Sequence, residues 1–203
     1  KKKFHHKILK HKNFMSKLRF TNDWFSSNLP FLQYLIIKKK LNNKKIKVLE
    51  IGSYEGNSTL FFLKNLNIST ITCVDNFYGS EEHEEYDFSN VYNNFIENIS
   101  DYKNYVNINK SSSDQFFNFN KEKDFDLIYI DGSHKYEDVL NDAYNSFNVL
   151  KKNGYLIFDD FLWTFYSNQK KNPMDAIKKF LTTKYGSYKI ILTYYQIIIK
   201  KIS

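Results

Sequence analysis

Two short segments hold residues that could do chemistry together. Asp131 and His134 lie in Asp126-Leu-Ile-Tyr-Ile-Asp-Gly-Ser-His-Lys-Tyr-Glu-Asp-Val139, and Asp159 and Asp160 in Gly154-Tyr-Leu-Ile-Phe-Asp-Asp-Phe161. Each segment is an apolar run closing on its acids, the pattern of a buried strand that ends in a polar loop. Three carboxylates brought to one point repel and raise one another's pKa unless a cation sits among them. An all-oxygen set suits a hard ion such as Mg2+, completed by water and substrate oxygens. Asp159 or Asp160 could instead bond nearby backbone in a turn. His134 changes charge near neutral pH, which suits proton transfer; its plain alternative is a histidine in the first turn of a helix. His5, His6 and His11 fall in a basic leader and His83 in an acidic loop, so none rivals it.

A third segment, Lys47-Val-Leu-Glu-Ile-Gly-Ser-Tyr-Glu-Gly-Asn-Ser-Thr59, reads as strand, turn and helix. Gly52 and Gly56 let the backbone turn and approach a ligand, and Asn57 or Ser58 can cap the helix that follows. Such a turn holds a nucleotide. A pyrophosphate wants G-x-G-x-x-G, and Tyr54 stands where the middle glycine belongs, which disfavours a dinucleotide. Asp75 closes the apolar run Ile71–Val74, twenty-five residues beyond Glu50. There an acid can take both ribose hydroxyls, or cap a helix.

The elements that must position these residues alternate. Residues 28–40 read as a helix with Pro30 near its start, and strands follow at 46–51, 70–75, 104–109, 125–130 and 154–159. Helical patterns separate them at 57–66, 88–100, 112–119 and 135–150, with another at 173–184. This is repeated β-α, hence a doubly wound parallel sheet with helices on both faces. Tyr188–Thr193 and Tyr194–Lys200 leave no room for a helix between them, so the last pair forms an antiparallel hairpin. The fold class is α/β, with a seven-stranded, mostly parallel sheet whose last strand runs antiparallel. Ligands of open α/β sheets sit outside the carboxyl ends of the strands, where all these acids fall.

Composition narrows the class. A chain of 203 residues suits one domain, and 42% hydrophobic with 18% aromatic content excludes disorder. No apolar run reaches the roughly 18 residues that a membrane helix needs. Cys73 is the single cysteine, which excludes intrachain disulfides and cysteine zinc sites and places the chain in a reducing compartment, the cytoplasm. The net charge of +8 is spread over lysines at element ends, with no base-reading element, so nucleic acid is not the expected partner. Residues 1–27 read as a basic leader linking to a longer polypeptide, ahead of a domain at 28–203.

Glu50-x-Gly52-x-x-x-Gly56 resembles the first motif of class I S-adenosylmethionine-dependent methyltransferases, in the variant of small O-methyltransferases that relax G-x-G-x-G. I-D-G-x-H-x-Y-x-x-V followed by G-x-L-I-x-D-D is similar to a family that includes catechol-type, macrolide-sugar and rhamnosyl O-methyltransferases. The terminal hairpin fits as well, and the resemblance covers residues 28–200. It implies S-adenosylmethionine held by Glu50, Gly52, Ser53, Tyr54, Gly56, Asn57, Ser58, Asp75, Asn76 and Asp131. Ser112, Ser113 and Asp114 would flank the adenine, although Ser-Asp is also an ordinary helix start. It further implies Mg2+ on Asp131, Asp159 and Asp160, binding two neighbouring substrate oxygens, and His134 as general base beside Asp131.

The implied acceptor is a vicinal diol, a sugar such as a deoxyhexose ahead of a catechol. Residues 76–86 and 161–166, acidic and aromatic, would form its pocket. The alternatives are a catechol-like small-molecule methyltransferase, a ribose methyltransferase of RNA, for which no catalytic lysine can be placed, and a non-catalytic scaffold that binds the cofactor. Amino-group methylation of bases drops out, because Ile130-Asp131-Gly132-Ser133 stands where an N-P-P-Y type motif belongs.

Overall fold

A computed structural model describes residues 2–120, 123–168 and 171–203. Among these residues seven strands form one sheet: β1 (Lys45–Ile51), β2 (Asn67–Asp75), β3 (Val106–Lys110), β4 (Phe125–Ile130), β5 (Leu150–Phe158), β6 (Tyr188–Thr193) and β7 (Ile197–Lys201). Their order is β3-β2-β1-β4-β5-β7-β6. β3, β2, β1, β4 and β5 pair in parallel, and β7 is antiparallel to both β5 and β6. The expected doubly wound sheet with its closing hairpin is what forms.

Alternation along the strands divides the core into two layers. Val48, Leu127, Tyr129 and Ile157 bury on one face against α2 (Leu29–Lys39), α3 (Asn57–Asn65) and α4 (Val91–Asn98). Leu49, Ile128, Ile130, Leu156 and Phe158 bury on the other against α5 (Ser113–Phe119), α6 (Tyr136–Val149) and α7 (Pro173–Thr183). Burying both faces of the sheet leaves its strand ends as the place where polar residues meet.

Several boundaries differ from the pattern reading. β5 starts at Leu150 rather than 154, because Lys151, Lys152 and Asn153 extend it beyond its apolar stretch, and β2 starts at Asn67. β3 starts two residues late and ends one late, and only α4 of the expected 88–100 helix is α-helical, with a 3-10 segment at Ser100–Tyr105. The larger difference is at the amino end. The expected leader contains a helix, α1 (Lys2–Met15), and His11, Met15 and Phe25 are buried with the α2–α3 layer. Phe61 is the socket: the His11 and Phe25 rings stand 5.3 and 5.5 Å from it. A run dominated by lysines hid these few apolar anchors.

Candidate active site

The turn after β1 is held from below and from the side. Glu50, fully buried, accepts hydrogen bonds through Oε2 from Ser53 Oγ at 2.9 Å, from Thr59 Oγ1 and from Cys73 Sγ, while its Oε1 has no partner. Burial raises its pKa against the pull of these donors. Asp75 accepts from the Ser53 and Tyr54 backbone N–H groups at 2.7 and 2.8 Å and from Phe77 N–H at 2.6 Å. Ionised carboxylates accept about four hydrogen bonds, so one position is left for a ligand hydroxyl. Gly52, at φ 80°, cannot carry a side chain, because its Cβ would collide with the Asp131 carbonyl. This close approach joins β1 to the end of β4 where Asp131 N–H bonds Ile51 O at 2.8 Å.

The cap of α3 is Gly56 in the left-handed region at φ 87°, not Asn57 or Ser58. Asn57 instead donates to Asp23 at 3.3 Å, and Ser58 lies buried beside Glu50. Asn76 accepts from Tyr78 N–H at 2.7 Å, shaping its own loop. Ser112 caps α5 through Gln115 N–H, which realises the helix-start alternative. Ser113 lies beside the buried Asp142, whose pKa burial raises to about 7, and Asp114 is exposed.

Glu55, within the motif but not singled out by its sequence, anchors the amino-terminal segment. Its buried carboxylate accepts from Thr21 N–H at 2.5 Å, Thr21 Oγ1 at 2.7 Å and Asn94 Nδ2 at 2.7 Å. Asn98 adds Arg19 N–H and O and Glu55 O. Trp24 is thereby carried over the turn, 4.8 Å from the Tyr54 ring.

At the ends of β4 and β5 the acids Asp131, Asp159 and Asp160 line one recess. Asp159 turns into the core, where Asn28 Nδ2 donates to Oδ2 at 2.7 Å and Gln196 Nε2 donates to Oδ1. Asp160 meets Asp131 and His134, whose ligand atoms lie within 4.8 Å of one another. Asp159 lines the same recess, and its charge is among those that raise the Asp131 pKa.

His134 bridges two carboxylates: Nδ1 lies 2.9 Å from Glu82 Oε1 and Nε2 lies 3.0 Å from Asp160 Oδ2. Held between two carboxylates, the ring is placed to donate from both nitrogens when it carries its second proton. Burial opposes this charge, but the bonds to Asp160 and Glu82 prevail and raise its pKa to about 9. Burial likewise opposes the Glu82 charge, while His134 and Ser80 hold that carboxyl down to about 2. Burial, the Asp159 and Asp160 charges and a hydrogen bond to Asp160 push Asp131 well above the ordinary carboxylate range. Tyr129 OH donates to Asp131 Oδ2 at 3.3 Å, and Tyr195 lies beside Asp160.

Aromatic rings wall this cluster. Trp163 stacks on His134 at 4.2 Å and Phe165 on Trp163 at 5.7 Å, while Trp24 stacks on His83 at 5.2 Å. Glu82, Tyr195, Gln196 and Asn28 were not individually legible. Glu82 lay in the acidic stretch expected over the site, whereas the hairpin residues gave no sign beyond their position between two strands.

Residues 49–161 match a family described as a methyltransferase domain, and the chain belongs to that family. Its fold is that of class I methyltransferases, which use S-adenosylmethionine. An uncharacterized protein, R132 of Acanthamoeba polyphaga mimivirus, is 28% identical over 149 residues, 69% of this chain. The chain spans 63% of that relative's length. Among solved structures, an O-methyltransferase from Bacillus cereus in complex with SAH superposes with a TM-score of 0.63 at 17% identity, covering 100% of this chain and 92% of that one. A methyltransferase from Pyrococcus furiosus gives 0.57 at 18% identity, covering 98% of each. The Thermus thermophilus 16S rRNA N2 G1207 methyltransferase gives 0.60 at 12% identity, covering 90% of this chain and 44% of that one. Neighbours so distant share the fold and leave the acceptor to be argued from the site. Among the described residues no helix is long and apolar enough to cross a membrane.

Proposed function

We propose that this chain transfers the methyl group of S-adenosylmethionine to a hydroxyl of a vicinal diol, on a sugar such as a deoxyhexose. The observation that carries the reading is the meeting of Asp131, His134 and Asp160 beside the glycine turn, under an aromatic wall. Aromatic faces suit the apolar face of a sugar ring and carboxylates its hydroxyls. A catechol would stack there equally, and is the second reading.

The turn suits the cofactor, whose sulfonium and ammonium are cationic: Glu50 keeps an unpartnered buried oxygen and Asp75 a free acceptor position. Ser53, Tyr54, Asp75 and Asn76 would line it, with Ser112, Ser113 and Asp114 on the adenine side. When bound, S-adenosylmethionine supplies an electrophilic methyl group. Asp131 would orient the hydroxyl and take its proton, because burial and neighbouring charge increase its affinity for one. His134, the base expected from the sequence, would take the proton through Nε2 only when that nitrogen is unprotonated, since both ring nitrogens face carboxylates. Asp131, Asp159 and Asp160 line one recess and would hold Mg2+, which when bound would supply a Lewis acid toward the acceptor oxygens.

The test is calorimetric titration with S-adenosylhomocysteine, followed by methyl transfer from labelled cofactor to a panel of deoxyhexosides, catechols and short RNAs. Binding with transfer to the sugars supports the reading. Transfer to catechol alone selects the second one, and binding without any transfer leaves a scaffold.

A further inference from the structure

We propose that the end of the sheet opposite the candidate active site docks onto an anionic lipid surface. The inference goes beyond the proposed function, and its test reads binding without turnover.

The topology makes this end basic. β1 to β5 run in parallel, so their starts share one pole, where the helices returning from them also finish. The lysines gather there. Residues 38–40 close α2, Lys45 opens β1, Lys103 precedes β3, Lys123 precedes β4 and Lys152 lies near the start of β5, and all seven are exposed. Among the described residues none of the seven is ion-paired. Asp126, a half-buried acid of this pole, is already matched by Lys44 at 3.4 Å and Lys151 at 3.2 Å. Asp101 and Asp124 are outnumbered.

The other pole has the opposite sign. Glu81, Glu84, Glu85 and Asp87 are exposed in the loop over the site, and Asp131, Asp159 and Asp160 close the strands beneath it. β1, with seven residues, spans about 23 Å at roughly 3.3 Å per residue. That is nearly three times the Debye length of about 8 Å at physiological salt, so each pole acts by its own charge.

Large side chains stand bare among the lysines. Phe119 at the end of α5 is 81% exposed, Tyr185 ahead of β6 is 88% exposed and Tyr105 ahead of β3 is 48% exposed. β3 and β6 are the two edges of the sheet, six strand spacings or about 29 Å apart. A nucleic-acid strand stacks its bases on successive rings along a groove. Rings spread over the whole breadth of a blunt end instead meet a planar partner together. Lysines beside exposed aromatic rings suit the headgroup level of an anionic bilayer. The acidic pole is then turned from the lipid, and the cleft opens to water.

The experiment is sedimentation of the full-length chain with vesicles of phosphatidylcholine, with and without phosphatidylserine. Binding is expected only with phosphatidylserine, and it should weaken as salt rises. Lys39→Gln combined with Lys45→Gln should weaken it about 25-fold, about fivefold for each charge near the surface. Lys110→Gln combined with Lys135→Gln removes the same net charge at the acidic pole and should change binding less than about threefold. Trp24 and Trp163, both beside the site, should keep their fluorescence on vesicles of brominated lipid, whereas Phe119→Trp should add a quenched component. Thermal melts verify that each variant is folded. Absence of binding to phosphatidylserine, equal losses in the two lysine pairs, quenching of the native tryptophans, or an unquenched Phe119→Trp chain on vesicles overturns the docking face. A single-stranded RNA that displaces the chain from vesicles, and whose binding falls with Lys39 and Lys45, overturns it in favour of a nucleic-acid face.

Discussion

His134 is joined to Glu82 across 2.9 Å, and the two residues are 52 positions apart in sequence. The pair ties the loop over the site to the end of β4, and its charges give the fold a pH dependence with two edges. His134, raised to about 9 from 6.5, contributes stability that is complete below 6.5 and is lost as pH climbs through 9. Glu82, lowered to about 2 from 4.5, contributes stability that is complete above 4.5 and is lost as pH falls through 2. In metal-free protein Glu82→Gln should therefore lower the His134 pKa by a unit or more and cost about 1 to 3 kcal/mol at pH 6. Carbon-13 chemical shifts of the imidazole against pH check the first, and denaturant melts the second. An unmoved His134 titration would refute the pairing.

A second histidine works with the opposite sign. Burial beside Phe61 lowers the His11 pKa from 6.5 to about 4, so its contribution is complete above 6.5 and declines as pH falls toward 4. The change amounts to about 3 kcal/mol at most. His11→Leu should flatten the stability profile over that interval while leaving the values above pH 7 nearly unchanged. If the variant keeps the wild-type acid slope, His11 is not buried as described.

Where a signal was local, the sequence carried it. The β1 turn was legible because its strand, glycines and helix lie within thirteen consecutive residues, and the terminal hairpin because nothing fits between its strands. Asp131 and Asp160 were legible as acids closing apolar runs. The partners of Asp159 were not, since Asn28 and Gln196 arrive from α2's start and from the β6–β7 turn. Glu82 was invisible as an individual for the same reason: its partner is set by loop closure, and period counting sees only neighbours. The docking of α1 was masked by lysines, whose long stems can cover apolar surface, as where Lys64 Nζ sits 3.1 Å over the Phe14 ring.

Glu55 fastens the amino-terminal segment over the turn after β1. Glu55→Gln keeps the size of the side chain but replaces one acceptor oxygen by a donor, so Thr21 N–H or Asn94 Nδ2 loses its partner. The expected cost is about 1 to 3 kcal/mol, that of a stranded buried polar group. Amide exchange at Thr21 should accelerate before that of the β1 strand. Unchanged protection at Thr21 would show that the segment is held by Trp24 and Phe25 alone.

Asp75 serves the turn and is expected to serve the cofactor. Asp75→Ala removes the acceptor for three backbone N–H groups along with the free position proposed for ribose. S-adenosylhomocysteine binding should weaken by about 1.5 to 3 kcal/mol, roughly 10- to 150-fold. Calorimetry at pH 7 reads this directly. Wild-type affinity in a folded variant would mean that neither the ribose contact nor the turn geometry matters to binding.

Asp131 is the residue to which proton transfer is assigned, and an isosteric change tests it. Asp131→Asn keeps the shape and the hydrogen bond available to Tyr129 OH, but an amide does not take a proton near neutral pH. At saturating S-adenosylmethionine, kcat should fall by about 10² to 10⁴, the range for a positioned base, with the acceptor KM changed far less. Single-turnover rates separate the chemical step from release. A drop confined to KM would make Asp131 a binding group, and a kcat within a few fold of wild type would move the proton to another residue of the cluster.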